Sequence, residues 1–200
     1  MARVRRRKID TWKTKEWYEI LAPKAFGEAK IGETIASDPS GLRERVVETT
    51  MKDLTGDFTK QHIKLRFQIK DVRGKKAYTI FKGQSLSRDY MRSQIRRKST
   101  RVEGVTDVVT KDGCKLRVKT IALALGRAQT AQEKAIRRIM GDMVKKAAKK
   151  KELDQLIQEI VQGKISVQMY RAASKIYPLK RVEVRKVKVI ESSPGIPQEG

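Results

Sequence analysis

The sequence contains no asparagine, and it has one cysteine and one histidine among its 200 residues. A lone thiol, Cys114, closes no disulfide within the chain, and with His62 it falls short of a tetrahedral zinc cage. Cysteine usage therefore gives an oxidising compartment no support. Long apolar runs are also missing. The longest candidate, residues 121–125, has the length of a strand, whereas a membrane-spanning helix needs about 20 residues. The first eight residues are basic but no apolar signal region follows them, so cytosolic residence is the expectation. The shortage of heat-labile Asn and Cys beside abundant Lys, Arg and Glu fits life at high temperature.

Apolar side chains are scarce too, at 38%, and aromatics make up 6%, while charged residues reach 35% against about 25% in ordinary globular chains. The net charge is +24. For a chain of 22.9 kDa, size scaling gives about one uncompensated cation per 400 Å² of folded surface. Self-repulsion of that density calls for a polyanionic partner. The length suits one substantial domain or two small ones.

Residues 1–15 hold seven cations and one acid with little apolar patterning, and read as a basic arm that orders on a partner. Residues 17–22 are aromatic and branched and stop at Pro23, predicting a first strand. The Gly, Ser and Pro-rich stretch 27–41 reads as irregular, and β-forming residues return at 46–54. Ile63, Leu65, Phe67 and Ile69 then alternate with Lys64, Arg66, Gln68 and Lys70, which puts an apolar row on one face and a mainly cationic row on the other. A turn containing Gly74 returns the chain through 77–81. Asp112-Gly113 marks a second hairpin between 102–110 and 114–124, whose return strand gains cover as it proceeds.

At Thr130 the period changes from two to 3.6. Thr130-Ala131-Gln132-Glu133 matches a capping box, and Ile136, Ile139, Met140, Met143, Val144 and Ala147 form the stripe of a helix over about 131–150. A second amphipathic segment carries Leu153, Leu156, Ile157, Ile160 and Val161 and ends at Gly163; Ser166 caps a third helix that Pro178 closes. In the last strand, 181–190, the valines at 182 and 184 fall out of parity with those at 187 and 189, which predicts a β-bulge near Arg185 and Lys186. The expected fold is α+β: an antiparallel β-rich body, either a sheet or a partly closed barrel, with flanking helices and a basic N-terminal arm. A single domain over 16–190 is β-rich in 16–125, helical in 130–178 and completed by the strand 181–190, with a flexible tail at 191–200.

No chemistry-bearing constellation emerges. His62 and Cys114 lie far apart in sequence and read as a strand-start His and a small hairpin Cys. The glycines form no phosphate loop, and the carboxylates are interleaved with Lys and Arg as on solvated faces. Cations are the exception. Arg3, Arg5, Arg6, Arg7 and Lys8 crowd the arm, beside Trp12, the best candidate for stacking on a base. Arg92, Arg96, Arg97, Lys98 and Arg101 cluster without an intervening acid, and Arg137, Arg138, Lys145, Lys146, Lys149 and Lys150 lie off the apolar stripe of the long helix. One such cluster alone is a solvated face; several on a chain of this charge point to nucleic acid. Arg185 and Lys186 at the bulge join the set of candidate contacts.

The segments SRDYMRSQIRR at 87–97, IYPL at 176–179 and VRKVK at 184–188, with WYEILAP at 17–23, HIKL at 62–65 and Asp112-Gly113 in the same order, make the chain resemble the "S three Ae" family of small-subunit ribosomal proteins, shared by archaea and eukaryotes. The resemblance covers most of residues 12–190. It implies a β-rich body with flanking helices, bound to small-subunit ribosomal RNA at the platform near the exit of the messenger channel. Neighbouring small-subunit proteins and messenger RNA at the exit are the further partners it implies, with no reaction, no cofactor, no metal, no membrane and no homo-oligomer. The chain stops soon after the last strand, whereas eukaryotic members carry a longer C-terminal region. The competing readings are an RNA-processing or RNA-modifying enzyme with a basic substrate surface, and a DNA-compacting protein.

The charge-based reading predicts a steep salt dependence. If about ten duplex phosphates are neutralised, the logarithm of RNA affinity falls against the logarithm of salt with a slope of roughly −9, and somewhat less for single strands. A filter-binding titration that comes out flat rejects the mechanism.

Overall fold

The computed structural model describes residue 12 and residues 14–191, so most of the expected arm and all but the first residue of the expected tail lie outside the described residues. Among the described residues the strands are β1 (Glu16–Leu21), β2 (Lys30–Ala36), β3 (Val46–Thr50), β4 (Ile63–Arg73), β5 (Lys76–Leu86), β6 (Arg101–Val109), β7 (Lys115–Ala124) and β8 (Leu179–Glu191). The α-helices are α1 (Met51–Thr55), α2 (Arg88–Gln94), α3 (Thr130–Lys150), α4 (Leu153–Val161) and α5 (Lys164–Ala173). The strands pair in the order β2-β1-β5-β8-β7-β6, with β4 bonded to β5 and β3 to β4. The fold is therefore α+β on a mostly antiparallel sheet that does not close into a barrel, and its parallel pair is β1 with β5.

Two compact units make up the chain, one of Met1–Val47 with Phe67–Ile80 and one of Glu48–Arg66 with Phe81–Gly200. In the first, β1 and β2 run antiparallel from Glu16↔Ala36 to Leu21↔Lys30. β2 falls in the stretch expected to be irregular. Only Ala36 of its seven residues is buried, so its own pattern is weak and its ladder with β1 supplies the order. The Thr79 hydroxyl donates to the Leu21 carbonyl at 2.7 Å where β5 runs beside β1. Tyr18, Ile20, Ala36, Leu42, Ile69 and Ala77 form the core of this unit.

In the second unit β3 stops at Thr50, short of the expected 54. The Thr50 hydroxyl accepts from Asp53 N–H and the Asp53 carboxylate accepts from Thr50 N–H, a local capping box that turns the chain into α1. β4 shows the expected alternation, with Ile63, Leu65, Phe67 and Ile69 buried. β6 and β7 pair from Arg101↔Leu123 to Val109↔Lys115 around Gly113, whose φ of +79° meets the turn requirement foreseen for Asp112-Gly113. β8 lies between β5 and β7. It pairs with β7 along its length, and the register passes from Lys119↔Lys186 to Thr120↔Val184. Arg185 is thus the extra residue of the predicted bulge, and Val182, Val184, Val187 and Val189 are all buried.

α3 begins at Thr130, one residue before the expected 131, because its capping box is Gln129 with Gln132 rather than the expected box at Thr130. Its buried stripe is Ile136, Met140, Val144 and Ala148. Gly163, with φ of +79°, stands at the N-cap of α5, so Ser166 lies inside the helix rather than at its cap; the helix ends at Ala173, before Pro178. α3 packs on β6 and β7, α5 packs on β8 and α3, and the stripe Leu156, Ile157, Ile160 and Val161 of α4 is buried.

One glycine is required by close approach. A Cβ on Gly83 of β5 would stand 2.7 Å from the Val187 carbonyl oxygen of β8, against backbone that has nowhere to move, whereas a Cβ on Gly32 of β2 meets nothing. Gly83→Ala is expected to lower stability by about 1–3 kcal/mol, and Gly32→Ala to leave it level or slightly raised. Thermal unfolding of the two variants checks this contrast, and equal midpoints would refute the close approach.

Candidate nucleic-acid interface

The cluster following β5 is organised by a tight loop. α2 leads into exposed Ile95, and Arg96, Arg97 and Lys98 then project to solvent before β6 begins. Lys98 takes a left-handed φ of +64°, which costs a non-glycine residue about 1–2 kcal/mol. The loop is held by Ser99, which bonds the Arg96 carbonyl through both its N–H and its hydroxyl, at 3.4 and 2.6 Å. Thr100 ties it to the rest of the unit, donating to the Gly126 carbonyl and accepting from Ala124 N–H. Strain is thus accepted where it holds three cations outward.

Glu103 of β6 gathers the expected clusters. Its carboxylate pairs with Arg101 at 3.3 Å and with Arg185 at 2.8 Å, and its backbone carbonyl accepts from Arg137 of α3 at 2.7 Å. Groups from the start of β6, the long helix and the β8 bulge therefore meet at one residue. Beside it a hollow of about 220 Å³ is lined by Arg88, Arg92, Arg101 and Arg185 over an apolar floor that includes Met91 and Ile121. Four guanidiniums and one carboxylate leave excess positive charge with forked donors, suited to phosphate. The floor is anchored by Met91 on Ile121 and Leu123.

On α3, Arg138, Lys145 and Lys149 recur at i, i+7 and i+11 and form an exposed ridge, with Lys146 and Lys150 beside it. Among the described residues none of these five makes an ion pair within 4 Å, and neither do Arg92, Arg96, Arg97 and Lys98.

A further cationic field lies on the sheet. Across the β7–β8 ladder Lys119 stands directly opposite Lys186, and Arg117 opposite Lys188. Like charges directly opposite are destabilising. Arg117 is neutralised by both oxygens of Asp107, each at 2.8 Å, and holds that carboxyl below its ordinary range. Lys186 gains no such relief. Burial pushes its pKa down, and Arg66, Lys119, Lys188 and Arg185 push it further. Arg66 and Lys64 share Glu48 across β3 and β4, at 2.7 and 3.0 Å, which lowers the Glu48 pKa.

The structure thus brings together Arg92, Arg101, Arg137, Arg185 and, through the loop, Arg96 to Lys98, and it sets Lys186 in the sheet field. Arg3, Arg5, Arg6, Arg7 and Lys8 lie outside the described residues. Trp12 is 68% exposed with the Lys15 ammonium 4.1 Å from its ring. His62 stacks on Tyr90 at 4.0 Å and Cys114 is buried in the β6–β7 hairpin; among the described residues no group of His, Cys, Asp and Glu is arranged to hold a metal. Sequence reasoning missed Arg88, Glu103, Lys119 and Lys188. Strand alternation put Lys119 on an outer face, but only the register of β8 set it against Lys186.

The chain matches the Ribosomal S3Ae family over residues 3–193. It is 51% identical over 181 residues to the small ribosomal subunit protein eS1 of Desulfurococcus amylolyticus, covering 90% of this chain and 85% of that one. The protein of the same name from Methanothermobacter thermautotrophicus is 48% identical over 192 residues, covering 96% and 98%. That from Sulfolobus acidocaldarius is 46% identical over 184 residues, covering 92% and 93%. A family match across almost the whole length, with relatives at 46–51% identity covered over most of their own lengths, makes the chain a member of the ribosomal S3Ae family, a small-subunit ribosomal protein.

Proposed function

We propose that this chain binds small-subunit ribosomal RNA by phosphate neutralisation and shape, within cytoplasmic ribosomes, as a structural constituent of the platform near the messenger exit. Neighbouring small-subunit proteins and, at the exit, messenger RNA are the partners that this placement offers. The observation that carries the RNA-binding reading is the facing pair Lys119 and Lys186. A fold that sets two ammonium groups opposite each other, with one of them already discouraged from holding its proton, is stabilised by a polyanion laid across them. The α2–β6 loop, the Glu103 hollow and the α3 ridge add contacts of the same kind, Arg supplying forked bonds and Lys point charges. The expected arm residues Arg3, Arg5, Arg6, Arg7 and Lys8, with Trp12, would thread between RNA segments and order on assembly. The platform position rests on the family resemblance of the motifs at 87–97, 176–179 and 184–188.

The facing pair makes the stability and binding effects of one substitution opposite in sign. Lys186→Gln relieves repulsion in the free protein, so its unfolding midpoint rises, while its ribosomal RNA affinity falls and the salt slope shrinks by about 1. The stability gain has a definite pH course. A lysine whose pKa is lowered by folding carries fewer protons folded than unfolded, so wild-type stability recovers as pH rises through the lowered pKa toward the ordinary 10.5. The gap between variant and wild type therefore narrows over that window. Calorimetry across pH together with salt-dependent RNA binding checks both signs, and a variant that loses stability while binding RNA unchanged refutes the reading.

A further inference from the structure

The second unit carries a larger hollow, of about 450 Å³, away from the guanidinium cluster at Glu103. It exists because β5 pairs with β8 over three residues only, Gly83↔Lys188 to Ser85↔Lys186. The β8 segment beyond that pairing, from Lys180 to Val184, borders the hollow instead. Ile63, Ile160, Val161 and Val182 give it apolar walls, and Tyr170 and Val167 of α5 stand at its mouth, Val167 being 52% exposed.

Gln84 lines this hollow and is 3% exposed, and its Oε1 is fully buried with no hydrogen-bond partner. A buried acceptor left unmade is costly, and natural folds rarely keep one without a reason. Around the same hollow lie Lys60, Lys180 and Arg181. Lys60 is 3.4 Å from Asp57, Lys180 donates to the Gln94 carbonyl at 3.1 Å and Arg181 meets Glu183 at 2.9 Å. Each is oriented by one partner and retains further N–H groups for a ligand. Tyr90 braces this rim. Its hydroxyl donates to Glu183 at 2.7 Å, and burial followed by that bond raises its pKa, keeping the phenol a donor.

The occupant must combine apolar faces, a hydrogen-bonding edge for the Gln84 amide and an attached anion. An apolar side chain from a neighbouring protein would leave the Gln84 oxygen unmet and give the cations nothing, and a basic side chain would be repelled by them. An unstacked nucleobase with its phosphate meets all three demands, and the volume lies within the range of about 300–1,000 Å³ usual for small-ligand sites.

We propose that this hollow receives one extruded base of an RNA strand, with the edge of the base on the Gln84 amide and the adjoining phosphate on Lys180 and Arg181. The proposal rests on the RNA-binding reading and adds to it a site that reads the base itself. The test uses the full chain at low salt with two labelled probes followed by fluorescence anisotropy. One is hexa-adenylate, and the other is the same ribose-phosphate hexamer without bases. Wild type should bind hexa-adenylate about tenfold more tightly than the abasic hexamer. Gln84→Met, which keeps the volume and removes the amide, should erase most of that preference while leaving abasic binding and the unfolding midpoint at or above wild type. Tyr170→Leu, at the exposed mouth, should reduce the preference without bearing on the core, so the result does not hang on one variant. Lys180→Gln should weaken both probes by the same factor.

Equal binding of the two probes by wild type, with no effect of Gln84→Met or Tyr170→Leu, overturns the base site and leaves phosphate binding intact. Failure of wild type to bind either probe overturns the RNA-binding reading beneath it. In washed small subunits a photocrosslinker at Val167 should mark ribosomal RNA, and crosslinks confined to protein would assign the hollow to a protein side chain instead.

Discussion

The extra residue at Arg185 is the constraint on which the rest of the second unit depends. Without it, the side-chain alternation of β8 would carry through from Val184 to Lys186 and Lys188, putting two lysines into the core and Val187 and Val189 outside. A single bulge restores both valines to the buried face that α5 packs against. The same step aims Arg185 at Glu103 and leaves Lys186 opposite Lys119. Core formation and cation placement are therefore one decision made by the backbone. The β7–β8 register shifts twice more, skipping Lys180 and Ile190, so β8 is bulged at intervals of five residues and strongly twisted.

Two populations of cations result. Some are neutralised within the fold: Arg117 by Asp107, Lys64 and Arg66 by Glu48, Lys115 by Glu191. Exposed pairs of this kind add little to stability, about 0–1 kcal/mol, but they fix the positions of long side chains. Others, including Lys119, Lys186, the α3 ridge and the α2–β6 loop, have no such counter-charge among the described residues. Their repulsion raises the free energy of the free protein, and a polyanion laid across them, as proposed above, would relieve it, so that part of the driving force for assembly would be stored in the folded chain.

Much of this was legible in the residues themselves. The alternation from Ile63 to Lys70, the Asp112-Gly113 turn and the slip among the β8 valines are local signals that the structure bears out, and of the α3 stripe Ile136, Met140 and Val144 are buried, Ile139, Met143 and Ala147 half-buried, with Ala148 completing the row. β2 was not legible. Its residues carry neither a strong apolar row nor turn residues at the right places, and it exists because β1 offers a ladder. The starts of α3 and α5 were misplaced because Ser and Thr are the commoner caps, whereas here a Gln side chain and a left-handed glycine serve. Among the candidate site residues, sequence clustering found the cations but not their geometry. Arg101 lies two residues from Glu103 on the same face of β6, but nothing in the strand announces that Arg137 and Arg185 converge on Glu103 too, since those residues come from two distant segments.

The uneven pairing of β8 explains why the two hollows differ in character. Where α2 packs beside β7, at Ile121 and Leu123, the bulge delivers Arg185 into a nest of guanidiniums, and the hollow is small and charged, with donors suited to an anion. Where β5 leaves β8 after three residues, no strand fills the gap, helices α4 and α5 wall it with branched apolar side chains, and a polar amide is stranded within. A chain that needed only charge neutralisation could have continued the β5–β8 ladder, buried these groups and satisfied Gln84 internally. Keeping the ladder short leaves both an open strand edge and an orphan acceptor, two costs that packing alone does not recover and that a ligand carrying both a ring and a phosphate would remove together.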